Sequence, residues 1–132
     1  KKIKNLSNLV TKEYPNFPTD LQAQFMVLLC KASGKSSITE SIFENRFMHV
    51  AELRRLGAEI VIKKNKALIS GDTHFLAAEL MSSDLRASVA LVLAAIVAKG
   101  SSTINRIYHL DRGYENIESK LRKVGVNIRR IN

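Results

Sequence analysis

Thr19-Asp20-Leu21-Gln22-Ala23 opens one apolar run, and Ser83-Asp84-Leu85-Arg86-Ala87 opens another 64 residues later. The correspondence continues downstream. Gly34-Lys35-Ser36-Ser37-Ile38 answers to Gly100-Ser101-Ser102-Thr103-Ile104, and Asn45-Arg46 answers to Asp111-Arg112. Leu53-Arg54-Arg55-Leu56-Gly57-Ala58-Glu59-Ile60 then matches Leu121-Arg122-Lys123-Val124-Gly125-Val126-Asn127-Ile128. Self-similarity of this kind means a repeated supersecondary unit, in which each copy needs a neighbour to cover its apolar face. The first copy, with its lead-in strand, is assigned to residues 1–72 and the second to 73–132.

Hydrophobic spacing places the copies in the α/β class, each reading helix, strand, helix, strand. Leu21, Phe25, Leu28, Leu29 and Ala32 recur at helical spacing. Thr19 with Gln22 reads as a capping box and Gly34 as the stop. Residues 37–43 alternate as a strand, 47–56 form a second helix, and Gly57 falls at its C′ position. Strands over 58–63 and 66–70 are joined through Lys64-Asn65, a hairpin turn. The second copy predicts helices over 85–98 and 114–124 and strands over 102–108 and 126–131. Residues 1–18 and 75–82 supply a strand leading into each first helix, with Pro15 and Pro18 keeping the first approach extended.

The distribution of apolar residues inverts the usual α/β pattern, in which buried strands are continuously apolar and helices amphipathic. Here the strands alternate, as in Thr103-Ile104-Asn105-Arg106-Ile107, while 87–98 is apolar nearly all round. A helix without a polar face must be covered on all sides. Helices are therefore expected inside and half-exposed sheets outside. Two copies offer too few sheets for that, so a further copy or another chain is expected to complete the cover.

Bulk composition narrows the class. The 132 residues are 45% hydrophobic and 25% charged, ordinary for a folded chain. Cys30 is the single cysteine, which excludes an internal disulfide and fits a reducing compartment. The apolar run is too short to span a bilayer, and no signal peptide is visible. The net charge of +9 points to an anionic partner, whether nucleic acid, a membrane surface or a phosphorylated metabolite. The cations are scattered, with small groups at Lys1-Lys2-Lys4, Lys63-Lys64-Lys66 and Arg129-Arg130, and no aromatics interleave with them as a stacking platform requires. A solvated basic surface is the simpler reading, and a basic nucleic-acid-binding repeat has only the charge behind it.

Several residues have chemistry to offer. Asp20 and Asp84 fall in first helical turns, where the macrodipole stabilises a carboxylate by roughly 0.3–1 kcal/mol. Beside a cleft, the same carboxylate can accept a proton from a substrate hydroxyl. Arg46 and Arg112 each follow a good N-cap residue, Asn45 or Asp111, and so occupy the helix end at which a cation is misplaced. An arginine fork at a helix start makes a phosphate or carboxylate clamp; the alternative is an exposed arginine, or one paired with Glu44 or Glu115. His49, His74 and His109 lack metal-ligand spacing, so no metal site is expected. Cys30 sits beside an apolar helix face as a buried, inert thiol. Gly71 and Gly113 are isolated and make no nucleotide loop.

Longer motifs carry a specific resemblance. Tyr14-Pro15, Phe17-Pro18-Thr19-Asp20-Leu21-Gln22-Ala23-Gln24, Phe43-Glu44-Asn45-Arg46-Phe47-Met48-His49-Val50, Asp84-Leu85-Arg86-Ala87 and Arg106-Ile107-Tyr108-His109-Leu110-Asp111-Arg112-Gly113-Tyr114-Glu115 resemble the UDP-N-acetylglucosamine 1-carboxyvinyltransferases over residues 14–131. The 43–50 motif separates these from the sister 3-phosphoshikimate 1-carboxyvinyltransferases, which remain the alternative within the superfamily. The resemblance implies a bacterial, cytoplasmic transferase of peptidoglycan synthesis, moving the enolpyruvyl group of phosphoenolpyruvate to the 3′-hydroxyl of UDP-N-acetylglucosamine without a cofactor. It also implies an inside-out α/β fold of βαβαββ units, with the active site between two domains and this chain supplying the last two units of one.

By that resemblance, Asp20 contacts the sugar hydroxyl and is its proposed base, and Ile42 and Phe43 line the uridine-nucleotide site. Arg46 and Arg112 lie on the phosphoenolpyruvate side, and Asp84 and Leu85 form a substrate-proximal pair. The family's catalytic cysteine or aspartate belongs to a loop of the other domain, and Cys30 occupies an unrelated helix position. The 132 residues alone are therefore expected to lack turnover, to have no nucleic-acid or membrane partner, and to self-associate through exposed apolar helices.

Overall fold

The computed structural model describes residues 2–131; Lys1, part of the first basic group, and Asn132 lie outside the described residues. The first copy runs β1 (Leu9–Val10), a 3-10 turn (Thr19–Leu21), α1 (Gln22–Lys31), β2 (Lys35–Thr39), α2 (Val50–Arg55), β3 (Glu59–Lys63) and β4 (Lys66–Ser70). The second runs β5 (Glu79–Met81), α3 (Leu85–Val97), β6 (Thr103–Asn105), α4 (Tyr108–Asp111) and α5 (Ile117–Lys123). Each first helix is a crossover between parallel strands, β1 with β2 and β5 with β6, as parallel pairing demands. The larger sheet has the order β1-β2-β4-β3, and Lys63 opposite Lys66 leaves Lys64-Asn65 as the hairpin loop. Lys64 takes φ 56°, which the tight turn requires. Gly57 and Gly125, both with positive φ, follow the C-caps of α2 and α5 at matching points of the repeat.

One face of the larger sheet is covered. Ile60 pairs with Ile69 and both are buried, whereas the next pair, Val61 with Leu68, is exposed on the outer face. Period-2 alternation thus directs every second pair onto the helices. α1 and α3 pack against each other at the centre, through Met26, Leu29 and Cys30 on one and Ala90, Leu91 and Ala94 on the other side of the core. Helices inside and sheet outside is the arrangement the inverted hydrophobicity demanded.

α3 is not covered all round, as two copies with too few sheets implied: Leu93, Ile96 and Val97 share one exposed face, and Leu28 of α1 is exposed too. No sheet of the described residues reaches that side. Several element bounds differ from the sequence expectations. Residues 126–131 form no strand; their counterpart β3 pairs only with β4, and no described segment takes the place of β4 in the second copy. The second copy thus shows βαβ followed by helices rather than a complete βαβαββ. The strand expected over 102–108 stops at Asn105, because Arg106 has φ 59° and α4 begins at Tyr108. The helix expected from 47 starts only at Val50, and the one expected from 114 starts at Ile117, after Asn116 at φ 48°.

The closing of the first copy depends on Gly71. Its amide donates to the Gly34 carbonyl at 2.8 Å, and a Cβ at Gly71 would lie 2.0 Å from the Ala32 carbonyl oxygen and 2.3 Å from that of Gly34. Backbone atoms cannot swing aside as a flexible side chain can. Gly71→Ala is expected to cost about 3 kcal/mol or more, measured as a lowered urea midpoint.

Candidate functional site

The strand β2 brings Ser36 and Ile38 to the core-facing side, and the next residue in that phase is Glu40. A carboxylate on a core-facing row must find donors or be expelled. Glu40 is 3% exposed and has five donors. The Thr11 and Thr19 hydroxyls each donate to it at 2.6 Å, the Gln22 amide at 3.3 Å, and the backbone N–H groups of Ile42 and Phe43 at 3.1 and 3.4 Å. Burial pushes the Glu40 carboxyl up, but the hydrogen bonds from Thr11, Thr19, the Ile42 amide and Gln22 outweigh it and hold it below the usual range.

This corrects the capping-box expectation. Thr19 and Gln22 do not cap the helix start reciprocally; both turn to Glu40, and Gln22 also donates to the Arg46 carbonyl at 3.0 Å. Neither the 3-10 turn nor α1 has a side-chain N-cap hydrogen bond. A buried carboxylate, which water cannot reach, outcompetes an exposed backbone N–H that water can serve.

From that anchor the walls of a cleft rise. Thr19, Gln22, Asn45, Arg46 and His49 of the first copy face Asp84, Arg86 and Ala87 of the second across about 240 Å³. A wider hollow of about 640 Å³ adjoins it, lined by the 40–47 loop with Lys64 and Asn65 and sharing Asn45 and Arg46 with the first. Phe43 projects into solvent, and the Arg46 guanidinium sits 4.4 Å from its ring centroid, a cation–π pair that holds both side chains at the junction.

Asp20 lies in the 3-10 turn before α1, and its carboxylate accepts from Arg86 Nε at 2.7 Å. This ion pair joins the start of α1 to the start of α3. Asp20 Oδ1 takes the bond, and Oδ2 has no hydrogen bond among the described residues. Asp84 is the N-cap of α3 rather than a first-turn residue; its Oδ1 accepts from the Ala87 amide at 2.9 Å. Leu85 follows, and the second-copy loop rests on it, since a Cβ at Gly113 would come within 2.7 Å of Leu85 Cδ1.

The expected electrostatic conflict at the arginines is absent. Arg46 lies in the loop before α2, not in its first turn. Arg112 is the C-cap of α4, an end at which the dipole favours a cation. Asp111, expected as an N-cap, closes α4 and accepts both forks of Arg130 at 2.9 and 2.7 Å. Arg112, exposed, makes no ion pair among the described residues. It does not line the cleft, though Gly113 beside it touches Leu85. Ile42 and Phe43 line the wider hollow. The structure therefore brings together Asp84, Arg46, Ile42 and Phe43 around the paired hollows, with Asp20 tied to the cleft through Arg86, and leaves Arg112 at the periphery.

Glu40 and Arg86 were not singled out from sequence, and Gln22 only as part of a helix cap. The signal for Glu40 was available: a carboxylate in phase with Ile38 on a strand's apolar face. Cys30 is buried, and burial pushes its thiol up to about 12, so it is inert as expected. No cluster of three or more metal-ligating side chains occurs among the described residues.

Against this geometry, the likeness to known proteins is direct. The profile of the EPSP synthase (3-phosphoshikimate 1-carboxyvinyltransferase) family matches residues 1–121, and the chain belongs to that family of enolpyruvyl transferase folds. Within it, UDP-N-acetylglucosamine 1-carboxyvinyltransferase of Pelagibacter ubique (strain HTCC1062) is 69% identical over 132 residues, all of this chain and 31% of that protein. The enzyme of the same name from Helicobacter pylori (strain ATCC 700392 / 26695) is 58% identical over 93% of this chain and 29% of its own length. The chain thus spans about 30% of these relatives. The crystal structure of the enolpyruvyl transferase NikO from Streptomyces tendae superposes with a TM-score of 0.84 at 30% identity, over 96% of this chain and 30% of that one. EPSP synthase from Acinetobacter baumannii shares the fold, with a TM-score of 0.67 at 16% identity over 86% of this chain and 27% of that one.

His49 gives the site a pH signature. It is 3% exposed, with Nε2 3.2 Å from Met26 Sδ, and burial lowers its pKa from 6.5 to about 4 despite the opposing pull of Asp84. Between those values the unfolded chain binds the proton and the folded one does not, so stability falls as pH falls from 6.5 towards 4. The loss should approach about 3 kcal/mol, and His49→Gln should flatten that part of a urea-midpoint profile.

Proposed function

We propose that this chain forms the UDP-N-acetylglucosamine-facing wall of an enzyme that transfers the enolpyruvyl group of phosphoenolpyruvate to the sugar 3′-hydroxyl, releasing phosphate. The observation carrying this reading is the convergence of side chains from both copies, at the starts of α1 and α3, on one cleft. The names of the relatives at 57–69% identity support it. The copies divide at 72/73, between β4 and β5.

In this reading Asp20 accepts the proton of the attacking hydroxyl through Oδ2 while Arg86 holds Oδ1, an arrangement suited to general-base work. Ile42 and Phe43 form the bed for the uridine, where an exposed aromatic ring supplies a stacking face. Arg46 lies where the two hollows meet and faces the anionic end of the substrates; Arg112, outside both hollows, is assigned to that side by the resemblance alone. Asp84 and Leu85 shape the start of α3 beneath them. The full activity belongs to a protein about three times this length, working in the bacterial cytoplasm in peptidoglycan synthesis, with no cofactor. Among the described residues no helix is long and apolar enough to cross a membrane.

The profile's own description keeps one alternative in view, a 3-phosphoshikimate substrate. The two are separated by titrating the chain with each ligand and following amide chemical shifts. UDP-N-acetylglucosamine should move the Asp20, Ile42 and Phe43 amides, and 3-phosphoshikimate should not. Asp20→Ala should weaken that binding about tenfold, as loss of a hydrogen bond to a charged group does. The 132 residues alone should release no phosphate from the two substrates mixed; phosphate release would show that the chemistry needs no further groups.

A further inference from the structure

Among the described residues, Glu40 is the one buried ionised group that the proposed chemistry leaves without a task. Its two oxygens divide their partners. Oε1 accepts from Thr19, next to Asp20, and from Gln22; Oε2 accepts from Thr11 and from the amides of Ile42 and Phe43. The carboxylate therefore stands between the turn that carries Asp20 and the loop that carries Phe43. Gln22, 1% exposed, adds a third tie by donating to the Arg46 carbonyl.

We propose that Glu40 is a positioning residue whose two oxygens fix the Asp20 turn and the Ile42–Phe43 loop at the separation that lets one ligand reach both. The role rests on the nucleotide-sugar reading above. Only a carboxylate fills it. The Ile42 and Phe43 amides are obligate donors, and a glutamine offers one acceptor oxygen and one donor nitrogen where donors arrive on both sides. If the Glu40→Gln oxygen stays with the loop amides, its nitrogen faces the Gln22 amide nitrogen, which loses its acceptor, and the Thr19 hydroxyl, which must turn to accept, so the turn that carries Asp20 shifts. If it stays with Thr19 and Gln22, the loop amides lose their acceptor.

Positioning predicts a loss of coupling between the two ends of the ligand rather than a general weakening. In the unsubstituted chain, the sugar moiety adds to the affinity because UDP-N-acetylglucosamine engages both ends at once. The test compares UDP with UDP-N-acetylglucosamine on the chain and on Glu40→Gln, by calorimetry or shift titration. Glu40→Gln should keep its UDP affinity to within about twofold and lose on the order of tenfold in the affinity gained from the sugar. The amides of α3 should keep their exchange rates, showing that the core is intact. Thr19→Val, which removes one of the two donors to Oε1 and leaves the loop side untouched, provides the same comparison if Glu40→Gln does not fold. Equal weakening of both ligands overturns the positioning role and leaves the functional reading standing. No binding of UDP-N-acetylglucosamine by the unsubstituted chain overturns the functional reading and this role with it.

Discussion

A single buried carboxylate holds the candidate site together. Glu40 leaves the end of β2 on the core-facing side, where an isolated charge would be expelled, and stays ionised because five donors meet it. Those donors come from the segment after β1, the 3-10 turn, α1 and the loop before α2. Every element of the first copy's active edge is thus tied to one group. A buried polar network rigidifies what it touches; here both oxygens of the carboxylate are satisfied, Gln22 Oε1 is left without a partner among the described residues, and the network touches the residues nearest the proposed substrate.

The second copy docks onto that edge by other means. α3 is packed against α1 through small and branched apolar side chains, and the Asp20–Arg86 pair closes the contact at the surface. Asp20 is 67% exposed, so the pair contributes little to stability. Its consequence is orientation: one carboxylate oxygen is held by Arg86, which lines the cleft, and the other is left without a hydrogen bond among the described residues. Stability in this region comes from apolar burial and from Glu40. The exposed face of α3 shows where the inside-out arrangement is incomplete among these residues.

What the sequence made legible was local or periodic. The Lys64-Asn65 hairpin, the glycines after α2 and α5, and the apolar α3 follow from signals within a few residues of one another, and the two copies from motifs that recur 64–68 residues apart. The α/β class followed from them, and the family from its long motifs. Glu40 escaped because its Thr11 and Thr19 partners lie 29 and 21 residues away, and nothing in the chain near it names them. The same distance hid the true use of Thr19 and Gln22. Arg112 was misplaced for a different reason: Asp111-Arg112 looks like a helix start, but α4 begins four residues earlier, at Tyr108, so the pair falls at its end. The strand over 126–131 had the right alternation and lacked only a partner, which a strand needs and a helix does not.

The most direct test is the ionisation of Glu40 read from its own side chain. With the glutamate carboxyl carbons labelled, its chemical shift can be followed by NMR from neutral pH down to about pH 4.5, where an ordinary glutamate is half protonated. Glu40 is expected to keep the shift of an ionised carboxylate there, and the Ile42 and Phe43 amide signals to hold their neutral-pH positions. A Glu40 carboxyl already half protonated at that pH, with those amides unmoved, would contradict the claim that its charge holds the site together.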